Sequence, residues 1–193
     1  MALLPLRPRD IPNLITGLRI MLVVPILWLL LEERYGATLL LFVMAAFSDA
    51  LDGFLAKYFD WTSELGGILD PLADKLLLIG TILTLGWLGK LPVWLVVLVV
   101  LRDVIIVCGA ISYHMLIGQF KAEPLLISKL NTLMQLLLML AVITNGGIAS
   151  LPAWLLTGLI GLTALTTSWS GLAYVLRWGW SAWNKGRRKP TSP

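Results

Sequence analysis

Six runs of predominantly apolar residues, over 13–31, 36–57, 68–87, 91–117, 125–144 and 152–176, take up most of the chain. Each is close to the ~20 residues that a helix needs to cross the hydrocarbon core of a bilayer. The third run is the weakest, with glycines and a charged start. Only 13% of the residues are charged, against about 25% in a soluble domain. A chain with so little polar surface cannot stay dissolved, so the membrane is its solvent. The expectation is an all-α integral membrane fold of six transmembrane helices forming one domain over 1–193. Residues 1–12 would lie on the interface as a short basic segment, and 178–193 would be a basic cytoplasmic tail.

The charges between the runs give an orientation. Arg7 and Arg9 precede the first run and Lys57 follows the second. Lys121 and Lys129 flank the start of the fifth, and Lys185, Arg187, Arg188 and Lys189 follow the sixth. The opposite loops carry Glu32, Glu33, Arg34 and Lys90, and 145–151 carries no charge. The positive-inside rule therefore predicts both termini in the cytoplasm, together with the 57–70 and 117–125 loops. The basic tail suits anionic lipid headgroups better than nucleic acid. The first run is too long for a signal-peptide core and has no small-residue cleavage site, and no Arg-rich leader precedes it. These features favour a bacterial inner membrane. Pro12-Asn13 opens the first run, with Arg19 one and a half turns further in. Tyr35-Gly36, Gly86 to Pro92, and Asn145-Gly146-Gly147 with Pro152 mark the external turns. Tryptophans near the ends of the runs form an aromatic belt. Cys108 reads as a small buried hydrophobe, and His114 as a polar residue near a helix end.

Ionisable groups inside apolar runs are expensive and are functional candidates by default. Asp49 and Asp52 are three apart near the cytoplasmic end of the second run, and so share a helix face. Gly53 and Ala56 keep that face thin, and Lys57 completes it. Asp70 and Asp74 are four apart at the cytoplasmic start of the third run, again on one face. Two antiparallel helices joined by a short loop would set these faces together at one depth. Four unpaired carboxylates there would repel one another, and a divalent cation relieves this. Oxygen-only ligands select Mg²⁺ or Mn²⁺ over zinc. Two such ions would bridge a diphosphate substrate. Taken singly, Asp70 before Pro71 is an ordinary helix start, and Asp49 or Asp52 would form a structural ion pair with Lys57 or Lys75.

The stretch Asp49-Ala-Leu-Asp52-Gly53-Phe-Leu-Ala56-Lys57, continued by Gly66, Asp70 and Asp74, resembles the signature of the CDP-alcohol phosphotransferases. Lys57 departs from it, standing where the family usually has arginine; it keeps the charge and loses the planar fork. The resemblance implies six transmembrane helices, a homodimer and a metal site opening to the cytoplasm. It also implies that Asp49, Asp52 and Asp70 hold metal, with Asp74 near the second ion and acting as general base. Asp49, Gly53, Ala56, Lys57 and Gly66 would then surround the cytidine diphosphate of CDP-diacylglycerol.

The run Ile11-Pro12-Asn13-Leu14-Ile15-Thr16-Gly17-Leu18-Arg19 resembles the opening of two subfamilies, the phosphatidylglycerophosphate synthases and the CMP-forming cardiolipin synthases. Arg102-Asp103 and Ile127-Ser128-Lys129-Leu-Asn131-Thr132-Leu-Met-Gln135 are more similar to the second, whose acceptor is phosphatidylglycerol rather than glycerol 3-phosphate. Arg102 must face a polar cavity or an anion. Either it joins an ion-pair network with Asp103, or it forms with Lys129 a cationic seat for the acceptor's phosphate. Ser128 would cap the fifth helix, and Asn131, Thr132 and Gln135 would hydrogen-bond between helices. Two other classes fit less well. Intramembrane prenyltransferases need more helices than this chain supplies. A cation transporter would need acidic groups on both sides of the membrane.

Overall fold

The computed structural model describes the backbone of residues 11–59, 64–117 and 126–187, and the side chains of 14–49, 51, 58–59, 72–109 and 126–177. It is built from six helices: α1 (Ile11–Leu31), α2 (Tyr35–Tyr58), α3 (Glu64–Trp87), α4 (Val93–Ile117), α5 (Leu126–Gly147) and α6 (Ala153–Arg187). No strand occurs among the described residues. Helices bond their own backbone groups internally, the condition that lipid imposes. Leu14–Leu31, Leu126–Gly147 and Ala153–Arg177 are long and apolar enough to cross a membrane, and Tyr35–Asp49 is a shorter apolar helix. The chain is an integral membrane protein.

Each apolar run contains a helix, with shifted ends. The third helix begins at Glu64 rather than 68, so Pro71 lies inside it and does not mark its start. Proline in a helix interior loses one backbone hydrogen bond, a loss that membrane helices tolerate. Pro25 sits within α1 in the same way. The sixth helix continues to Arg187, taking in much of the segment read as a basic tail. Hydropathy ends at 176, whereas backbone hydrogen bonding does not.

By contact, the chain divides into two compact units, Met1–Leu91 with Met139–Leu151, and Pro92–Leu138 with Pro152–Pro193. In the first, α1 packs against both α2 and α3. The buried residues of α1 are Thr16, Arg19, Val23, Ile26 and Leu30, spaced alternately by three and four along one face. Its opposite face (Leu18, Met21, Val24, Trp28 and Leu31) is exposed apolar surface suited to lipid. Buried Tyr35, Thr38, Phe42 and Ala45 form the corresponding row on α2, and Ala73, Leu77, Thr81 and Leu85 on α3.

The turns close this unit at the end away from the aspartates. Glu33 (φ 55°) and Gly89 (φ 68°) take the left-handed conformation that ends a helix. The amide of Arg34 donates to the Leu29 carbonyl at 2.9 Å, and that of Lys90 to Leu85 at 2.9 Å. Tyr35-Gly36 therefore opens α2, and the turn itself precedes it. Tyr35 donates to the Glu33 carboxylate at 3.0 Å, and Lys90 reaches that carboxylate at 3.5 Å. Lys90 Nζ also lies 5.7 Å from the centroid of the Tyr35 ring. Gly146 and Gly147, read from sequence as a turn, belong to α5. Their lack of a side chain admits the Tyr35 ring: a Cβ on Gly146 would lie 2.6 Å from it.

In the second unit α4 packs against α6. Leu95, Val99 and Arg102 form the buried row of α4, and Thr163, Thr167 and Ser170 that of α6.

Candidate active site on the first three helices

The buried row of α2, at 35, 38, 42 and 45, continues with the same spacing to Asp49 and then Asp52. On α3, the row at 81 and 77 runs back toward Asp74 and Asp70. By backbone register the two rows thus pass from apolar to acidic positions toward the α2–α3 connection, and both helices lie against α1. Asp49 and Asp74 are each partly buried, and Ala73, beside Asp74, is fully so. The side chains of Asp52, Gly53, Ala56, Lys57, Gly66 and Asp70 lie outside the described residues. Their backbone is helical, on α2 for the first four and on α3 for the last two.

Asp49 meets a partner that the sequence reading did not assign to it. Arg19 Nη1 stands 2.6 Å from Asp49 Oδ1; the arginine side chain is 0% exposed and the aspartate 46%. Both candidate structural partners named from sequence, Lys57 and Lys75, lie further along the chain on α2 and α3, whereas Arg19 comes from α1. The signal was present in the sequence. An arginine in the middle of an apolar run of α1 is subject to the same cost argument that singled out the aspartates.

Arg102 and Lys129 belong to the second unit. The Arg102 guanidinium is buried and richly engaged. Its Nη1 donates to Asp103 Oδ1 at 2.6 Å, and its Nη2 to Ser128 Oγ at 2.7 Å. Ser170 Oγ accepts from both Nε, at 3.2 Å, and Nη2, at 2.6 Å. Arg102 therefore ties α4 to α5 and α6, and the Asp103 pairing foreseen from sequence is present. Ser128 serves as an acceptor in this array. Gly171, whose Cβ would lie 3.5 Å from Arg102 Cγ, lets the arginine stem run against α6. One turn along α5, Asn131 Oδ1 accepts from Thr167 at 2.7 Å and from Thr166 at 3.1 Å. Such interhelical hydrogen bonds contribute roughly 0.6–2 kcal/mol each in membrane bundles. Lys129 is exposed, and Cys108, read as buried, is exposed on α4. The side chain of His114 lies outside the described residues.

Comparison with known proteins places the chain in a family. The model of the CDP-alcohol phosphatidyltransferase family matches residues 9–170, and the chain belongs to that family. It is 32% identical over 185 residues to a cardiolipin synthase (CMP-forming) from Rattus norvegicus, covering 86% of this chain and 61% of the relative. A protein of the same description from Streptomyces coelicolor is 30% identical, with 89% of this chain and 83% of the relative covered. A CDP-diacylglycerol–glycerol-3-phosphate 3-phosphatidyltransferase from Aquifex aeolicus is 34% identical over 69% of this chain and 75% of its own length. The chain thus spans about three-fifths of the mammalian relatives it matches.

Proposed function

We propose that the chain transfers the phosphatidyl group of CDP-diacylglycerol to a primary hydroxyl of phosphatidylglycerol, giving cardiolipin and CMP. The observation that carries this reading is the register of Asp49 and Asp52 on α2 and of Asp70 and Asp74 on α3, two helices packed against the same α1. The choice of acceptor follows the relatives named as CMP-forming cardiolipin synthases, which resemble the chain over 86–89% of its length.

The four aspartates fit a hard divalent cation. They offer only oxygen donors, and Asp49, held on one oxygen by Arg19, keeps 46% of its side chain open. Asp49, Asp52, Asp70 and Asp74 would hold two ions, Mg²⁺ or Mn²⁺. When bound, these would neutralise the diphosphate and the charge developing on the departing CMP. Gly53, Ala56 and Gly66 would leave space for the nucleotide, and Lys57 would add a cation beside its phosphates. Asp74 takes the proton from the attacking hydroxyl, whose oxygen then displaces CMP from the β-phosphorus. Arg102 and Lys129 give the acceptor's phosphate a cationic seat, Arg102 as part of a fixed array and Lys129 as a longer-reaching charge. In this reading all six helices span a bacterial inner membrane as one homodimeric domain. Both termini and the site face the cytoplasm, with residues 1–12 on the interface.

The resemblance to the Aquifex aeolicus enzyme favours a second reading, with glycerol 3-phosphate as acceptor. One experiment separates the two. The purified protein is given CDP-diacylglycerol and Mn²⁺ with either phosphatidylglycerol or glycerol 3-phosphate, and CMP and the lipid product are identified by mass spectrometry. Cardiolipin is expected. Product from glycerol 3-phosphate alone overturns the acceptor, and no CMP with either overturns the reaction.

A further inference from the structure

We infer that Arg19 is a positioning residue, one that fixes the carboxylate of Asp49 in the orientation its metal-binding role requires. This rests on the metal site proposed above and extends it to a residue outside the aspartate signature.

Three features of the pair support the inference. Arg19 lies in the buried row of α1, between Thr16 and Val23, with its side chain fully enclosed. A guanidinium at such a place is costly and must be matched by a fixed anion. The anion is Asp49, whose Oδ1 stands 2.6 Å from Nη1 in an ion pair that is not aligned as a hydrogen bond, and the pair is asymmetric: the cation is sealed in, while 46% of the carboxylate side chain remains open. The Arg102–Asp103 pair provides a contrast within the same chain. There both side chains are enclosed, at 9% and 14% exposed, and the guanidinium is also bonded to two serines. Asp103 is thus closed off beside its arginine, whereas Asp49 keeps part of its surface available. Finally, Arg19 projects from α1, the helix against which both aspartate-bearing helices pack. It therefore refers Asp49 to the common support of α2 and α3. An outer residue that holds a ligand in this manner typically changes metal affinity by roughly 10–100-fold.

The sign of the effect makes the test decisive. If Arg19 only balanced charge, removing it would leave the site more negative, and a divalent cation would bind more tightly. If Arg19 positions Asp49, its removal weakens binding despite the added negative charge. Mn²⁺ affinity of the full-length protein in detergent is measured by electron paramagnetic resonance for wild type, Arg19→Met, Arg19→Lys, Asp49→Asn and the Arg19→Met/Asp49→Asn double variant. Arg19→Met is expected to bind Mn²⁺ roughly 10-fold or more weakly. Arg19→Lys, which keeps the cation but loses the planar fork, is expected to be several-fold weaker and guards against a failure of the methionine variant to fold. Adding Arg19→Met to Asp49→Asn should cost no further affinity, because the residue that Arg19 acts through is then already altered. Unchanged or tighter Mn²⁺ binding by a folded Arg19 variant overturns the inference, as does a fully additive loss in the double variant. Absence of Mn²⁺ binding by the wild type instead overturns the metal site itself.

Discussion

Ser170 Oγ accepts two hydrogen bonds from Arg102, at 3.2 Å from Nε and 2.6 Å from Nη2, so one hydroxyl on α6 meets one whole edge of the guanidinium on α4. Replacing Ser170 with alanine leaves that edge buried without its acceptor. The cost of stranding buried donors of a charged group is about 1–3 kcal/mol. Ser170→Ala should lower the thermal midpoint in detergent, and Ser170→Thr, which restores the hydroxyl, should recover most of it.

A side chain at Gly146 has nowhere to go. With a Cβ only 2.6 Å from the Tyr35 ring, Gly146→Ala forces the ring or α5 to move, at about 1–3 kcal/mol. Gly147→Ala, whose Cβ would stand 3.1 Å from the same side chain, should be milder. Tyr35→Leu in the Gly146→Ala background should relieve the overlap. Thermal unfolding of the three variants tests this order, and equal losses from both glycine substitutions would contradict it.

Lys90 gives the end of the first unit away from the aspartates a pH dependence. The neighbouring Tyr35 hydroxyl, and with it the Glu33 carboxylate, holds the Lys90 ammonium above its ordinary pKa of 10.5. A raised pKa in the folded state means that the contribution is fully present below the unfolded value and is lost as pH rises through the folded one. Lys90→Met should therefore be less stable than wild type at neutral pH, by a margin that salt reduces because the site is exposed. The margin should close above about pH 10.5. Paired melts across pH 7–11.5 measure it.

Asp74 should separate chemistry from binding. If it removes the proton from the acceptor hydroxyl, Asp74→Asn should lower kcat by roughly 10²–10⁴-fold while CDP-lipid affinity changes far less. CMP release and equilibrium binding of CDP-diacylglycerol, measured on the same preparation, test it. Full turnover by a variant that still binds metal and lipid would exclude Asp74 as the base.

The helices were legible in the sequence for one physical reason. Lipid makes hydropathy a strong signal, and it makes any carboxylate conspicuous. Ends were less legible, because backbone hydrogen bonding extends α3 back to Glu64 and α6 on to Arg187 through residues that hydropathy ignores. Gly146 and Gly147 were misread as a turn because a glycine that admits a ring and one that bends a chain look alike until the ring is placed. Arg102 was visible as a cation needing an anion, and its partner Asp103 was adjacent in sequence. Its ties to Ser128 and Ser170 span 26 and 68 residues, and nothing local encodes them. The pairing of Arg19 with Asp49 was hidden in the same way, since it depends on how α1 lies against α2.

The fifth helix is divided between the two compact units, its residues up to Leu138 in one and those from Met139 in the other. This imposes an order on biosynthesis. The first unit cannot finish when Leu91 leaves the ribosome, because Met139, Val142 and Ile143, all buried, have yet to be made. At ordinary elongation rates of about 5–20 residues per second, the ribosome needs roughly 2.5–10 s to supply them. During that interval the aspartate-bearing helices exist without the part of α5 that completes their unit.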